Sequence, residues 1–572
     1  MKIVRVRIQH FRGFEAAEFR FDGSVVIAGE PRAGRTDIVE ALKRALDPRS
    51  TTGRVNPLDI FRPVPGDDPP LTEVEVTLME LGAGLEALLS ELLEAIDPAT
   101  GEPASPTRAS AAELGIRICY RARYDFASDT GEHWVDSPAM SDPSSGVIRR
   151  IRRADREALP ILFVDAAPAL QVRAEGALRR LLVERDEPGL EAALDRLNTG
   201  VTSATENFSA EPLVSEVVNE VLASGPDLLL GLTDAADVGF APDDGSLASL
   251  LRALQPTATL DGAGPLPLRS HGSTTQGILT IAESIAAARR ADAALVVVAD
   301  DFGDGLDASS AEHTALTLRQ SANQVILTTR RPDVIRAFEV DQLTRLTISH
   351  GKRQQHRLAP KADKGERLTR QLLMDGLVSA VTSRTVLLVE GPQDVDGYGT
   401  LATRLARRDG PRYSFAAHGM RLVSPPGPEG GITRLPAMAK LAKELGFHVR
   451  AIADHDTPGP LDPNVVALIA EAEAVVLLPV RHAVEAALVR GVPSAQVRQT
   501  VDLLQASGEL APVPACPDDE LADYLLDKKV IKKGRLHKAW ARAVPYRPPI
   551  AVAAIELACS SSTGQLDVPD LP

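Results

Sequence analysis

The feature that most restricts the fold is a short apolar strand followed by a glycine-bounded loop and an amphipathic helix. The strand covers residues 24–28 (SVVIA) and the loop covers residues 29–36 (GEPRAGRT), after which apolar side chains recur on one helical face. Glycines in such a loop let backbone N–H groups surround phosphates, and the helix N-terminus adds partial positive charge. A glycine–proline loop without a ligand is the alternative. The residues expected to bind nucleotide phosphates and their Mg²⁺ are Gly29, Gly34, Arg35 and Thr36.

Two later segments extend this prediction. Residues 295–301 (LVVVADD) form an apolar strand that ends in paired acids. Asp300 is expected to hold Mg²⁺, and Asp301 lies at the position where ABC ATPases usually carry a glutamate that polarises the attacking water. Residues 272–276 (GSTTQ) resemble the signature loop of ABC ATPases, whose role is to cap the γ-phosphate of the opposite subunit. The alternative for this segment is a loop of small polar residues. The cap residues would be Ser273 and Gln276.

A family resemblance follows from these motifs. An opening like IxxFRGF, a strand and then GEPxAGRTDIVEAL is similar to the RecF, structural-maintenance-of-chromosomes and overcoming-lysogenization-defect (OLD) group of ABC ATPases. The resemblance implies that Arg12 lies near the nucleotide. Three positions depart from the family pattern: Arg35 replaces lysine, Asp301 replaces glutamate and Arg330 replaces the histidine of a switch strand. Because a misplaced catalytic group costs on the order of 10²-fold in rate, we expect ATP binding rather than rapid turnover.

A second pair of strands ends in acidic residues. Residues 385–394 (TVLLVEGPQD) contain Glu390 and Asp394, and residues 449–459 (VRAIADHDTPG) contain Asp454 and Asp456. Strand-end carboxylates of one sheet converge at one edge of an α/β fold, and hard oxygen ligands suit Mg²⁺ or Mn²⁺. A lone DxD is more often a solvated loop, but two acidic strand ends favour a metal site.

This acidic pattern resembles the Toprim domain of topoisomerases, primases and OLD nucleases. The resemblance implies that Glu485, on a helix after another strand, can join the metal cluster, although an exposed helical glutamate is nearly as good an interpretation. It also implies a lysine that stabilises the cleaved phosphate. Residues 528–547 contain eight Lys/Arg and no acid, and this segment could contact phosphates or be a solvated helix face. The lysine candidates are Lys532, Lys533 and Lys538, of which Lys533 is taken as the catalytic one.

The expected fold class is α/β: an ABC-type ATPase head with a helical insertion, followed by a Toprim domain and a short helical C-terminal region. The head is expected at residues 1–158 and 256–370, with a helical, dimerising insertion at 159–255. The Toprim nuclease domain is expected at 380–495 and a basic helical region with a tail at 496–572. The polar residues 350–366 are interpreted as a boundary linker.

The leading hypothesis is a nucleotide-regulated, divalent-metal-dependent DNA endonuclease that uses ATP and acts as a homodimer or larger homo-oligomer. The layout also resembles the nuclease subunit of Gabija-type anti-phage systems, which implies a UvrD-like helicase partner. A non-nucleolytic, RecF-like DNA-repair ATPase explains the head but not the second acidic group, and a Toprim primase or topoisomerase is a third class. The scattered cysteines and short apolar runs predict a cytoplasmic protein without a membrane span. The net charge of −15 argues against non-specific DNA binding but allows a local basic groove.

Overall fold

The computed structural model describes residues 1–61, 70–105, 111–142, 145–164, 177–224, 251, 256–259, 266–290, 295–427, 431–455 and 458–570. In this part the chain is a mixed α/β protein, which confirms the expected class. The strands of the head are β1 Lys2–Phe11, β2 Phe14–Arg20, β3 Val25–Gly29, β4 Thr72–Met79, β5 Glu94–Asp97, β6 Glu102–Pro103, β7 Glu113–Asp125, β8 Thr130–Asp136, β9 Ile161–Val164, β10 Thr257–Ala258, β11 Leu266–Pro267, β12 Val296–Ala299, β13 Gln324–Thr328, β14 Leu343–Ser349 and β15 Lys352–Arg357. Those of the second unit are β16 Thr385–Leu388, β17 Met420–Val423, β18 His448–Ala453, β19 Ala474–Leu477 and β20 Gly564–Asp567.

The α-helices connect and cover these strands. In the head they are α1 Arg35–Leu46, α2 Ala83–Leu88, α3 Arg153–Glu157, α4 Ala177–Ser209, α5 Pro212–Ser224, α6 Ser273–Arg290, α7 Ala308–Ser321 and α8 Pro332–Arg336. In the second unit they are α9 Lys364–Leu377, α10 Pro392–Asp409, α11 Leu435–Glu444, α12 Pro463–Glu471, α13 Val484–Val489, α14 Ser494–Ala506, α15 Asp518–Asp527, α16 Val530–Gly534, α17 His537–Ala543 and α18 Pro549–Cys559. None of the helices in the described ranges is both long and apolar enough to cross a bilayer.

The N-terminal part of the head combines an antiparallel sheet with a mainly parallel one. The antiparallel sheet has the order β2-β1-β4-β7-β5-β6, with β8 beside β7. Alternate apolar side chains of β1, including Ile3, Val6 and Ile8, enter a core that also contains Ile38 and Leu42 of α1. Because a strand exposes alternate residues on opposite faces, Arg7, which lies between Val6 and Ile8, is exposed.

The second sheet of the head positions the glycine loop. Its order is β15-β14-β3-β13-β12-β9, and all pairs are parallel except β14 with β15. The carboxyl ends of β3, β12 and β13 therefore meet at one edge, as expected for a ligand-binding edge of an α/β sheet. Residues 350–366, expected to be a linker, instead include β15 and the start of α9. An edge strand can be polar because one side of it faces solvent, so its sequence lacks the apolar pattern of a central strand.

The second unit is built on a parallel five-stranded sheet in the order β17-β16-β18-β19-β20. Val386 and Leu388 of β16 face a core shared with α9, α11 and α12, whereas Leu387 faces a core formed by helices including α10, α17 and α18. The strand β20, from the region expected to be a separate tail, pairs with β19. Likewise β9, from the expected helical insertion, pairs with β12 of the head, and the described helical part of that insertion is α4 and α5.

One buried arginine joins the two units. Arg345 of β14 is fully buried, and burial lowers its pKa to about 10. Its guanidinium donates to the carbonyls of Val381 at 3.1 Å and Ser383 at 2.6 Å, and to that of Leu445 at 2.9 Å. It also lies 3.7 Å from a carboxylate oxygen of Glu30 in the glycine loop. The same side chain therefore contacts the glycine loop and the strand connections of the second unit.

Candidate functional site

The glycine loop has a backbone that only glycine adopts without strain. Gly29 has φ of 139° and Gly34 has φ of 100°, and a Cβ on Gly29 would lie 2.1 Å from the carbonyl oxygen of Leu346. Arg35 begins α1 and donates from Nη1 to the carbonyl of Gly29 at 2.7 Å. Thr36 is exposed in the first turn of this helix. The loop therefore turns closely around the N-terminus of α1, which is the geometry that suits a phosphate group.

Acidic residues from β12 lie beside this loop. The hydroxyl of Thr328 on β13 donates to Asp300 and accepts a 2.8 Å hydrogen bond from the backbone N–H of Asp301. Asp301 Oδ1 lies 3.8 Å from Arg35 and 3.7 Å from Arg330. Burial, with the neighbouring Asp300 next in effect, raises the pKa of Asp301. The structure thus brings the loop, the paired acids and the switch arginine to one edge of the sheet.

Arg35 and Arg330, two of the positions at which the sequence departs from the motif it resembles, form ion pairs with these acids. Arg330 also forms an ion pair with Asp304. Burial lowers the pKa of Arg35, and the charge of Arg330 lowers it further, whereas Asp301 and Asp300 oppose this shift. A phosphate arriving at the loop would have to compete with carboxylates for the guanidinium of Arg35.

Arg12, expected near the nucleotide, lies on the side of α1. Its Nε donates to Asp59 at 2.8 Å, and its terminal nitrogens lie 3.4 Å from Asp37 and from Glu40. Three carboxylates therefore surround the positive charge of Arg12. Arg353 of β15, which the sequence interpretation placed in a linker, lies beside the loop, since its Nη1 would lie 2.5 Å from a Cβ on Gly34.

The signature-like segment begins α6. Ser273 is the first residue of this helix, and its side chain lies outside the described part. The amide of Gln276 donates to the carbonyl of His271 at 3.0 Å, and Thr274 donates to Gly305 at 2.8 Å. Gln276 lines a cavity of about 360 Å³ together with Asp300 and Asp301. Within one chain, the segment therefore packs against the loop that follows the paired acids.

The second acidic group lies at the carboxyl ends of β16 and β18. These strands are parallel neighbours, and Leu388 pairs with Ala451. A carboxylate oxygen of Glu390, two residues beyond Leu388, accepts a 3.2 Å hydrogen bond from the backbone N–H of Asp454. Asp394 lies in the first turn of α10, where its carboxylate accepts a 2.9 Å hydrogen bond from the N–H of Gly391. The sheet register therefore brings Glu390, Asp394 and Asp454 to the same edge.

Glu485 joins this group through a partner that is distant in sequence. Its carboxylate lies 3.0 Å from Nε2 of His537, a buried residue at the start of α17. Burial alone would raise the pKa of Glu485, but the hydrogen bond from His537 holds it below the ordinary value. The sequence offers no signal for this pair because His537 comes from a segment interpreted only as basic.

Electrostatic effects show how close the four acids are. Burial raises the pKa of Asp394 to about 6, and the charge of Glu485 contributes to the increase. Tyr398 is fully buried one turn along α10, and its hydroxyl has no hydrogen-bond partner among the residues that the structure describes. Its pKa is raised by burial and then by the charges of Asp454, Asp394, Glu485 and Glu390. Four carboxylates thus act on one buried hydroxyl.

The chemistry and the arrangement of these side chains bear on whether they could hold a metal ion. Among the residues that the structure describes, no three histidine, cysteine, aspartate or glutamate side chains are already arranged to hold a metal ion. Asp456, predicted as a ligand, lies outside the described residues. The donor set still suits a hard divalent cation because it consists of partly buried carboxylates. A nearby cation would offset the effect of burial, and the smaller effect of the charge of Glu485, which together raise the pKa of Asp394.

Lys532 is the lysine that acts on the acidic group. Its charge lowers the pKa of both Asp394 and Glu485, and it lines a cavity of about 810 Å³ beside Glu485 with Arg481 and Lys529. Lys533, taken as the catalytic lysine, is exposed on the five-residue helix α16 and does not line this cavity. Adjacent residues on a helix point in different directions, so the structure favours Lys532 for contact with a phosphate here.

Comparisons with known proteins yield similarity in structure alone. No family model matches the sequence, and no curated protein matches it. Solved structures that are similar include the SMC head bound to the C-terminal winged-helix domain of ScpA (14% identity, TM-score 0.36, covering 64% of this chain and 100% of that chain). The SMC head domain from Thermotoga maritima has 12% identity and a TM-score of 0.29, covering 63% of this chain and 100% of its own. An SMC head with an extended coiled coil, bound to the C-terminal domain of ScpA derived from Pyrococcus furiosus, has 14% identity and a TM-score of 0.33, covering 62% and 96%. Because these scores are low, the interpretation of both sites depends on their own geometry.

Proposed function

We propose that this chain is a nucleotide-regulated, divalent-metal-dependent DNA endonuclease of the OLD type, with an ABC-type head and a Toprim nuclease unit. The observation that carries the proposal is the convergence of Glu390, Asp394, Asp454 and Glu485 around Tyr398, with the pKa of Asp394 raised to about 6. Crowded, partly buried carboxylates destabilise a metal-free protein, so a cation that neutralises them explains their arrangement.

The residues divide the work of phosphodiester cleavage between them. Glu390, Asp394, Asp454 and Glu485 would hold Mg²⁺ or Mn²⁺, which when bound stabilises charge on the phosphate and activates water. The N–H of Gly391 fixes the carboxylate of Asp394. His537 orients Glu485. Lys532 would place its positive charge beside the phosphate, where negative charge develops during the reaction.

The head would act as the nucleotide-binding control unit. Gly29, Gly34 and the N-terminus of α1 would receive the phosphates of ATP, while Thr36 and Asp300 would hold its Mg²⁺. Arg35 and Arg330 are already paired with carboxylates, which supports binding with slow hydrolysis. The buried contacts of Arg345 offer a physical route between this loop and the nuclease unit. The homo-oligomer, the UvrD-like partner and the role in anti-phage defence stay predictions from the resemblance.

Nicking of a supercoiled plasmid in Mg²⁺ or Mn²⁺ tests this function. The purified chain should nick in the presence of metal, and Asp454→Ala should remove the activity without unfolding the protein. Asp375→Ala, an exposed aspartate on α9, is the matched control and should nick like the parent. Nicking by Asp454→Ala at the parental rate would overturn the assignment. A parent that binds DNA but does not nick it with either metal would favour the RecF-like alternative.

A further inference from the structure

A basic groove lies between α10 and α17, on the face of the second sheet that also carries α13. The cavity in this groove has a volume of about 650 Å³. Five basic side chains line it, three from α10 and two from α17, and Asp396 is the acid that faces them. This local excess of positive charge contrasts with the net charge of −15 of the whole chain. The basic residues are Arg404, Arg407, Arg408, Lys538 and Arg542.

The two walls of the groove belong to helices that also carry residues of the proposed nuclease site. On α10 the lining extends from Val395, adjacent to Asp394, to Arg408, a span of fourteen residues or about 20 Å at 1.5 Å per residue. On α17 the lining residue Lys538 follows His537, which contacts Glu485. Because adjacent residues of a helix point in different directions, the groove lies on the outer side of α10, and none of the four carboxylates lines it.

The basic side chains fall into two groups. Arg404 donates to the carbonyls of Val544 and Tyr546 and so joins α10 to the segment after α17. Arg408 and Arg542 pair with carboxylates on their own sides of the groove. Arg407 and Lys538, in contrast, are exposed and form no ion pair with any residue in the described part of the chain.

Helix electrostatics explains only part of this pattern. Arg407 and Arg408 lie in the last turn of α10, where positive charge is favourable to the helix dipole. Lys538 and Arg542 belong to a different helix and are four residues apart, so they share one face of α17. That face meets the arginines of α10 across the groove. The convergence of charges from two helices indicates a polyanionic ligand.

We propose that this groove binds the phosphate backbone of one DNA strand, on the side of α10 that faces away from the carboxylates. The inference rests on the proposed nuclease function and adds the path that the DNA takes. A length of about 20 Å along the axis of a DNA duplex corresponds to roughly six phosphates of one strand, because each phosphate of a strand adds a rise of about 3.4 Å along that axis. Arg407 and Lys538 contact these phosphates directly, because they are the exposed basic side chains of the groove that form no ion pair within the described residues.

DNA binding in the groove can be tested without cleavage by measuring the affinity for a fluorescently labelled DNA duplex at several salt concentrations. A metal chelator in the buffer prevents cleavage. The double variant Arg407→Ala/Lys538→Ala should bind more weakly, and the slope of log K against log salt should become shallower by about two, because two phosphate contacts are lost at about 0.9 each. The single variants Arg407→Gln and Lys538→Gln should each change the slope by about half as much as the double variant does.

The matched control is Arg367→Ala/Lys440→Ala, which removes the same two kinds of charge from exposed positions on α9 and α11, on the opposite face of the sheet. Its slope should equal that of the parent. If the groove variant has the same slope of log K against log salt as the parent, the proposal that DNA binds in this groove is wrong. That result would leave the nuclease function intact if the parent nicks DNA in the presence of metal. An equal loss in the control variant would also overturn it, because the effect would then be one of net charge.

Discussion

Asp394 should make the metal-free protein less stable at neutral pH than an uncharged residue would. Its side chain is 8% exposed, and its pKa is raised by burial from 3.8 to about 6. The folded state therefore retains this proton to a higher pH than the unfolded state, so stability falls as the pH rises from about 4 to about 6. A shift of about two pKa units corresponds to about 3 kcal/mol lost above that window.

Asp394→Asn should recover most of this free energy. The amide removes the buried charge but keeps an oxygen that can accept the N–H of Gly391. Thermal unfolding in a chelator at about pH 8 should give a higher Tm for the variant than for the parent, and the difference should shrink as the pH approaches about 4. Asp375→Asn, an exposed control on α9, should leave Tm unchanged at both pH values.

Metal should reverse the order of stability. Mn²⁺ should raise the Tm of the parent because it binds the folded state, whereas the asparagine variant should respond weakly and fail to nick DNA. If Asp394→Asn instead lowers Tm in chelator at about pH 8, the carboxylate supports the fold, and the reasoning from its raised pKa is refuted.

Three further outcomes follow from the head. Gly29→Ala should abolish binding of a fluorescent ATP analogue, because its Cβ would collide with the carbonyl of Leu346; retained affinity would refute the loop geometry. Arg345→Met should destabilise the chain by about 3–5 kcal/mol, because Glu30 and three carbonyls lose a buried partner; an unchanged Tm would argue against that interface. In the parent, a non-hydrolysable ATP analogue should change the nicking rate, and Arg35→Ala should remove this effect; a parent indifferent to the analogue would show that the two units are uncoupled.

The central strands were predictable from sequence because each is a short apolar run. This holds for β3, β12 and β13 in the head and for β16, β18 and β19 in the second unit. The edge strands β15 and β20 were not, since residues such as KRQQHR carry no apolar alternation. Their place is set by hydrogen bonds to a neighbouring strand rather than by burial.

The candidate metal site was predictable where residues follow a strand end. Glu390 and Asp454 could be paired in this way because parallel strands place their carboxyl ends together. His537 could not, because the fold alone brings it to Glu485 across 52 residues of chain. The preference for Lys532 over Lys533 depends on the direction of side chains on α16, which a run of adjacent lysines does not specify.

Binding of Mn²⁺, followed by electron paramagnetic resonance, tests the central claim most directly because it requires neither DNA nor nucleotide hydrolysis. With ATP absent, the parent and Asp375→Asn should bind Mn²⁺ at the carboxylate site, and the double variant Glu390→Gln/Asp454→Asn should lose that binding while remaining folded. Equal Mn²⁺ binding by the parent and the double variant would contradict the assignment of these strand-end acids as a metal site.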